Sequence, residues 1–247
     1  MTTLIVLAHP GTASFNAQWA QATAAACDDE VLWSDLCAMG FDPVEKASHY
    51  GASNNHFDPL SAQSEAAEAN QLPADVEAEI AKIRAADRIV FHFPLWWFGP
   101  PAILKGWADR CLTHGAMHNS DARFDKGLCK GKEVLFCVTT GSSAVESGPD
   151  GKEGDTNMHL WPLAYTLRYC GFTIKQPLLF HGIHGYFKGD DQLNLEQRCE
   201  GALKTQQEII SHWNERPEIT FNADSDFDQE GRLKPTAPSH SAFIKNT

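Results

Sequence analysis

The chain has 247 residues, of which 43% are hydrophobic, 21% charged and 10% aromatic, with seven tryptophans. That composition supplies a sizeable core for one α/β domain, with or without an extension, and excludes a disordered, collagenous or coiled-coil chain. The formal net charge is -12, and thirteen acidic against three basic residues between Asp28 and Asp87 carry most of it; a surface of that sign repels a phosphate backbone, so nucleic acid is not an expected partner.

The first element is a buried strand at Leu4 to Ala8. It opens directly from the N-terminus, and the first basic residue is Lys46, so neither a signal nor a transit peptide is expected. A helix follows, carried by Phe15, Trp19, Ala22 and Ala26, and Glu30 to Trp33 reads as a weaker strand. Residues 38 to 72, rich in Ala, Ser and Asn, read as an irregular insertion. Val76, Ile80 and Ile83 predict a helix before a second strong strand, Ile89 to Phe93. Pro100-Pro101 then starts a helix bearing Ile103, Trp107 and Cys111. The third strong strand is Val134 to Val138. Leu160, Leu163 and Leu167 form a helix with Pro162 as an early-turn or kink residue, and the last strand is Leu178 to Phe180 with its approach from Phe172. Leu195, Cys199, Ala202, Gln206, Ile209 and Trp213 form the final amphipathic stripe.

Continuous Val/Ile/Leu/Phe runs suit strands buried on both faces, and their alternation with helices predicts a doubly wound α/β fold. Five parallel strands in the flavodoxin-like order 2-1-3-4-5 are expected, with residues 1–213 as the domain and 214–247 as an irregular C-terminal arm packed on the domain or on a second subunit. The seven cysteines are scattered with no C-x-x-C pair and read as free thiols in a reducing compartment. No apolar run approaches the ~20 residues of a membrane span. A cytoplasmic protein without membrane insertion is expected.

Several chemistries are excluded by spacing. No two glycines stand as G-x-G, so the Rossmann fingerprint is absent. Gly127 to Lys132 is one residue short of a phosphate-binding Walker loop, and Glu133 stands where Ser or Thr must hold magnesium. Val145 breaks the G-x-S-x-G of a nucleophile elbow. The pairs His114/His118 and His181/His184 lack a local carboxylate or cysteine set, so no metal is expected.

Three segments at carboxyl ends of predicted strands remain, where open α/β sheets bind ligands. His9 to Asn16 is a loop entering a helix, with Ser14 and Asn16 as donors to an anion at the helix N-terminus. Phe93 to Pro101 sets Trp96, Trp97 and Phe98 on a loop, as flat walls for a planar ring. Thr139 to Ser143 offers hydroxyls and amides to that ring's polar edge. A phosphate loop, an aromatic wall and a polar rim together describe a flavin site.

These residues resemble the NAD(P)H:quinone oxidoreductase (DT-diaphorase) family. The likeness lies in Leu4-Ile-Val-Leu-Ala-His9 with Ser14-Phe-Asn16, and in Phe91-x-Phe-Pro-Leu-x-Trp-Phe-Gly-x-Pro-Ala-Ile-Leu-Lys-Gly-Trp107. Thr139-Thr-Gly141, Gly154-Asp-x-Asn157, Leu160-Trp-Pro162 and Cys170-Gly-Phe172 complete it, over roughly residues 3 to 213. The resemblance implies a homodimer with one flavin, FAD rather than FMN, at each subunit interface, and ping-pong hydride transfer from NADH or NADPH to quinones or similar acceptors. It places His9, Phe15 and Asn16 at the pyrophosphate and ribityl chain, and Leu95, Trp96, Trp97, Phe98, Thr139, Thr140, Gly141 and Ser142 around the isoalloxazine; Ser14, as an anion donor, and Pro94 are counted with these as cofactor-binding residues. Arg198 falls near the adenosine end. Trp97, Phe98, Met117, His118 and Tyr169 fall at the substrate pocket, His118 coming from the partner subunit. The family's Tyr and His near the pyrimidine edge are replaced by Ser147 and Glu153, the expected catalytic positions here; Phe57 stands where others carry glutamine. Two other readings compete: an ancillary regulatory subunit of a glutathione-gated potassium efflux system, and a one-electron flavodoxin carrier, which three aromatics and the long chain disfavour.

Overall fold

The computed structural model describes residues 1–52 and 54–246. The strands are β1 (Thr3–Leu7), β2 (Val31–Asp35), β3 (Arg88–Pro94), β4 (Glu133–Thr139), β5 (Thr173–Ile174) and β6 (Leu178–Phe180). The helices are α1 (Phe15–Ala25), α2 (Pro59–Ala69), α3 (Ala74–Ala85), α4 (Ala102–Cys111), α5 (Thr156–Tyr169) and α6 (Asp190–Ser211). All described pairings between strands are parallel, in the order β2-β1-β3-β4-β5, with β6 also paired to β4.

The expected fifth strand is thus two short ones. Pro177 has no N–H to donate, and the preceding backbone is claimed elsewhere: the Gln176 amide donates to Pro217 O at 2.8 Å. Lys175 pairs with both Glu133 (2.8 Å) and Glu218 (3.1 Å).

Side-chain alternation sorts the core onto two faces. Leu4, Val6, Ile89, Phe91, Phe93, Val134, Phe136 and Val138 pack under α3, α4 and α5. On the other face, Val90, Leu135 and Cys137 pack with Trp19 of α1 and Ile210 of α6, and Ile5 and Leu7 with Ala17 and Ala20 of α1. Trp213, the last residue of the expected α6 stripe, lies in a short 3-10 turn just past the helix and is buried in this second cluster.

Two polar networks lock the layers. The buried Glu79 carboxylate accepts from Ser34 Oγ (2.6 Å), Trp107 Nε1 (2.8 Å) and Lys82 Nζ (2.6 Å), joining β2, α3 and α4. Opposite, Trp19 Nε1 donates to Gln206 Oε1 (2.8 Å) and Gln206 Nε2 donates to Thr23 Oγ1 (2.8 Å), which lies 3.0 Å from His92 Nε2. Buried hydrogen-bond networks of this kind fix one packing arrangement.

Residues 38–72 are not irregular throughout, because α2 lies within them. Asp58 caps it by accepting from the Leu60 amide, Pro59 opens it, and Asn70 closes it in the left-handed region at φ 54°. The one side chain α2 buries is polar, Gln63, which donates to Glu45 (2.9 Å) and to Asp109 O (3.3 Å). A helix with no apolar stripe gives no hydrophobic periodicity to read.

The C-terminal arm packs on the domain. The Ile219 amide donates to Ile174 O (2.7 Å), Phe221 packs near Tyr165, and Phe243 stacks on Trp161 with ring centroids 4.5 Å apart.

His92 is fully buried, its Nδ1 has no partner, and desolvation pushes its pKa from the ordinary 6.5 down to about 3. Between those values the unfolded chain binds a proton that the folded chain excludes, so this residue costs stability as pH falls below 6.5. Chemical denaturation should show His92→Gln losing less stability than the parent chain between pH 7 and pH 5, by on the order of 2 kcal/mol.

Candidate active site

The loops that leave β1, β3, β4 and β6 meet at one edge of the sheet. After β1, His9 Nδ1 accepts from the Gly11 amide (2.9 Å), and Ser14 caps α1 by accepting from the Ala17 amide (3.2 Å). The α1 N-terminus therefore faces the edge with its positive dipole end. Asn16 is buried; its Nδ2 donates to Thr139 Oγ1 (2.9 Å), while its Oδ1 is buried without a partner.

After β3, the Trp96 amide donates to Gly99 O (2.9 Å) and the Gly99 amide to Trp96 O (3.1 Å). Between them Trp97 (φ 50°) and Phe98 (φ 63°) both lie in the left-handed region. Two successive residues of positive φ define a type I′-like turn, which ordinarily takes Asn-Gly or Gly-Gly. Holding two aromatics there costs on the order of 1–3 kcal/mol each. The result is exposure: Trp97 is 95% exposed.

After β4, Thr140 Oγ1 sits 2.8 Å from His181 Nδ1, and Ser142 Oγ 2.7 Å from Ser147 Oγ. Amides of the β6 loop tie in, Gly182 to Ser142 O (2.9 Å) and Ile183 to Thr140 O (2.9 Å). Burial and the Arg198 guanidinium hold the His181 pKa below its ordinary value.

Two cavities open at this edge and share Leu95, Trp97, Thr140 and Gly141. One, of 590 Å³, is lined by His9, Ser14, Phe15, Asn16, Pro94, Trp96, Thr139 and Ile183. The other, of 410 Å³, is lined by Phe98, Ser142, Glu146, Ser147, Glu153, Gly154, Thr156 and His159. No Lys or Arg of the described residues lines either. An anion in the first cavity is met by amides and a helix end, not by a side-chain cation.

The expected site residues thus separate into three groups. Those of the β1, β3 and β4 loops come together, with Ser147 and Glu153 in the adjoining cavity. Arg198, on α6, stands beside them: its Nη2 donates to His181 O (2.7 Å) and its guanidinium lies over Phe180, 5.0 Å from the ring centre. Met117, His118 and Tyr169 are elsewhere in this protomer. Met117 is buried in the core, and His118 and Tyr169, 5.2 Å apart, line a separate cavity with Gln63 and Asp109. Phe57 stacks on Tyr50.

Ile183 and His159 were not legible as site residues. His159 follows the Asp155 cap by one helical turn and shares a face with Thr156, and that i, i+3 spacing was the available signal.

The donor set fits a flavin. An unpartnered buried acceptor at Asn16 suits a hydroxylated chain, and an outward indole beside a threonine rim suits a planar ring.

A family described by its flavodoxin-like fold matches residues 1–204. NAD(P)H dehydrogenase [quinone] 1 of Rattus norvegicus is 37% identical over 233 residues, 91% of this chain and 82% of that protein. The chain belongs to the NAD(P)H dehydrogenase (quinone) family. Ribosyldihydronicotinamide dehydrogenase [quinone] of Homo sapiens is 38% identical, covering 87% of this chain and 93% of its own. A crystal structure from Klebsiella pneumoniae, assigned as a quinone reductase, superposes with a TM-score of 0.82 at 29% identity over 95% of this chain and 94% of that one.

In a quinone dehydrogenase with this edge, Trp97→Ala should weaken flavin binding by ~1–3 kcal/mol, roughly 5- to 150-fold in Kd. The urea midpoint of the flavin-free protein should not fall, since the ring is in solvent. Flavin fluorescence quenching and urea unfolding check the two halves; a drop in apo stability without a change in Kd would assign the ring to the core.

Proposed function

We propose that the chain is a flavin-dependent NAD(P)H oxidoreductase that reduces quinones or similar acceptors by two electrons. The observation that carries the reading is the strained turn that sets Trp97 and Phe98 between two contiguous cavities. One cavity is sized and furnished for the cofactor's chain, the other for a second planar molecule against the ring. A bound flavin supplies reversible hydride acceptance, chemistry no side chain here offers.

The protein's part is placement. The α1 N-terminus, with its positive dipole end, would receive the phosphate groups, and the unpartnered Asn16 Oδ1 would accept from a ribityl hydroxyl. Leu95 and Thr139 to Ser142 hold the ring's rim, and the Trp97 and Phe98 side chains shield its face from water. Arg198, which donates to the His181 carbonyl and lies over Phe180, is suited to an adenosine, which favours FAD over FMN. With one stacking place, nicotinamide and acceptor occupy it in turn.

We place two such sites in a homodimer: His118 and Tyr169 lie away from this protomer's cleft, and a two-fold partner is what would bring them to one. None of the described helices is long and apolar enough to cross a membrane; a cytoplasmic location accords with seven free cysteines.

Purified protein should be yellow, and initial rates with NADH or NADPH against a quinone panel should give parallel double-reciprocal lines. A protein that binds neither FAD nor FMN on reconstitution, or intersecting lines, would overturn the reading. Light scattering should find a dimer; a monomer with full flavin affinity and turnover contradicts the shared site.

A further inference from the structure

Behind the threonine rim stands a ring that lines neither cavity. His181 follows β6, and its Nδ1 lies 2.8 Å from Thr140 Oγ1. Thr140 lines both cavities, so its hydroxyl is the point at which this ring can act on the cleft. The backbone on either side of His181 is tied down. The Thr140 amide donates to Phe180 O (3.1 Å), the Gly182 amide to Ser142 O (2.9 Å) and the Ile183 amide to Thr140 O (2.9 Å). The His181 carbonyl itself accepts from Arg198 Nη2 (2.7 Å).

Hydrogen-bond counting fixes where this ring carries its proton. Thr140 Oγ1 donates its one hydrogen to Ser142 O at 3.0 Å. A carbonyl oxygen has two lone pairs, so Ser142 O takes this bond together with the one from Gly182. With its hydrogen committed, the Thr140 oxygen can only accept from His181. Nδ1 must then be the donor, and the neutral ring is the Nδ1–H tautomer. The opposite tautomer would have to take the Thr140 hydrogen, and the bond to Ser142 O would be lost. Burial, and after it the Arg198 guanidinium, lower the His181 pKa below its ordinary value, which keeps the ring neutral near pH 7.

The consequence lies on the ligand side. The Thr140 hydroxyl has given its hydrogen to Ser142 and one lone pair to His181. What it has left for the cleft is a lone pair. It therefore accepts from an N–H at the edge of a planar ring and cannot donate to a carbonyl there. The polar rim takes its donor–acceptor sense from an imidazole that lies outside both cavities.

We propose that His181 is a positioning residue of the cleft: its Nδ1–H holds the Thr140 hydroxyl in one orientation, as an acceptor toward the ligand. Its carbonyl, bound to Arg198, ties that orientation to the far end of the cofactor site. The role rests on the flavin reading above, and it is exerted by hydrogen-bond geometry, with no proton transferred.

Nitrogen-15 NMR of histidine-labelled, flavin-free protein near pH 7 should show His181 neutral with its proton on Nδ1, the signal being assigned by its absence from His181→Asn. Flavin titrations then separate the two ring nitrogens, because an Asn amide places a donor near the Nδ1 position and a Gln amide near the Nε2 position. His181→Asn should keep the flavin Kd of the parent protein. His181→Gln should weaken it roughly 3- to 10-fold, the range of one hydrogen bond. With Thr140→Val as background, His181→Asn and His181→Gln should bind alike, since the hydroxyl that tells them apart is gone. Urea midpoints of the flavin-free proteins check that each variant is folded. A proton on Nε2, equal Kd values for His181→Asn and His181→Gln beside the native threonine, or a difference that persists with Thr140→Val overturns the proposal. If the parent binds neither FAD nor FMN, the flavin reading falls instead, and the NMR tautomer still decides whether His181 holds the Thr140 hydroxyl.

Discussion

One rung of the sheet holds the ligand edge together. Pro94 stands opposite Thr139 at the end of the β3–β4 ladder, and the Leu95 amide donates to Thr139 O at 2.8 Å. The hydroxyl of the same threonine accepts from Asn16, which begins the first full turn of α1. Thr139 therefore fixes the aromatic turn through its carbonyl and the phosphate loop through its side chain. Displacing it would separate the two walls of the proposed flavin site.

That rigidity is what permits strain nearby. Trp97 and Phe98 sit at positive φ in a turn closed by two backbone hydrogen bonds, next to strands buried on both faces. An unsupported loop would relax by flipping a peptide and folding the rings inward. Here the flanking ladder over-determines the turn, and the cost is carried by burial and by the Glu79 and Gln206 networks in the layers below. The core is therefore conventional and the edge is not, the usual division between scaffold and site.

The sequence was most informative where burial is continuous. Runs such as Ile89 to Phe93 and Val134 to Val138 announce strands covered on both faces, and their loops announce the ligand edge, because an open parallel sheet leaves only that end for binding. Where a helix buries a polar side chain, as α2 does with Gln63, the apolar rhythm disappears and the helix is read as loop. The split of the last strand depends on the arm, a partner more than forty residues away, and no local pattern reports it. The site follows the same rule. Trp97 and Thr140 were legible from their place after a strand, whereas His159 belongs to a helix start whose distance from Phe98 only the fold creates. Met117, His118 and Tyr169 were read from family register, and their neighbours in this protomer belong to another cavity.

The arm also governs how the sheet ends. A two-residue strand at the β5 edge leaves unpaired amides and carbonyls, an invitation for another chain to add a strand. Ile219 and Pro217 occupy that edge from the arm side. Because these residues are synthesised after every strand of the sheet, the edge stays bare on the ribosome until the arm emerges. The arm is thus the closing step of biogenesis as well as a wrapping on the finished domain.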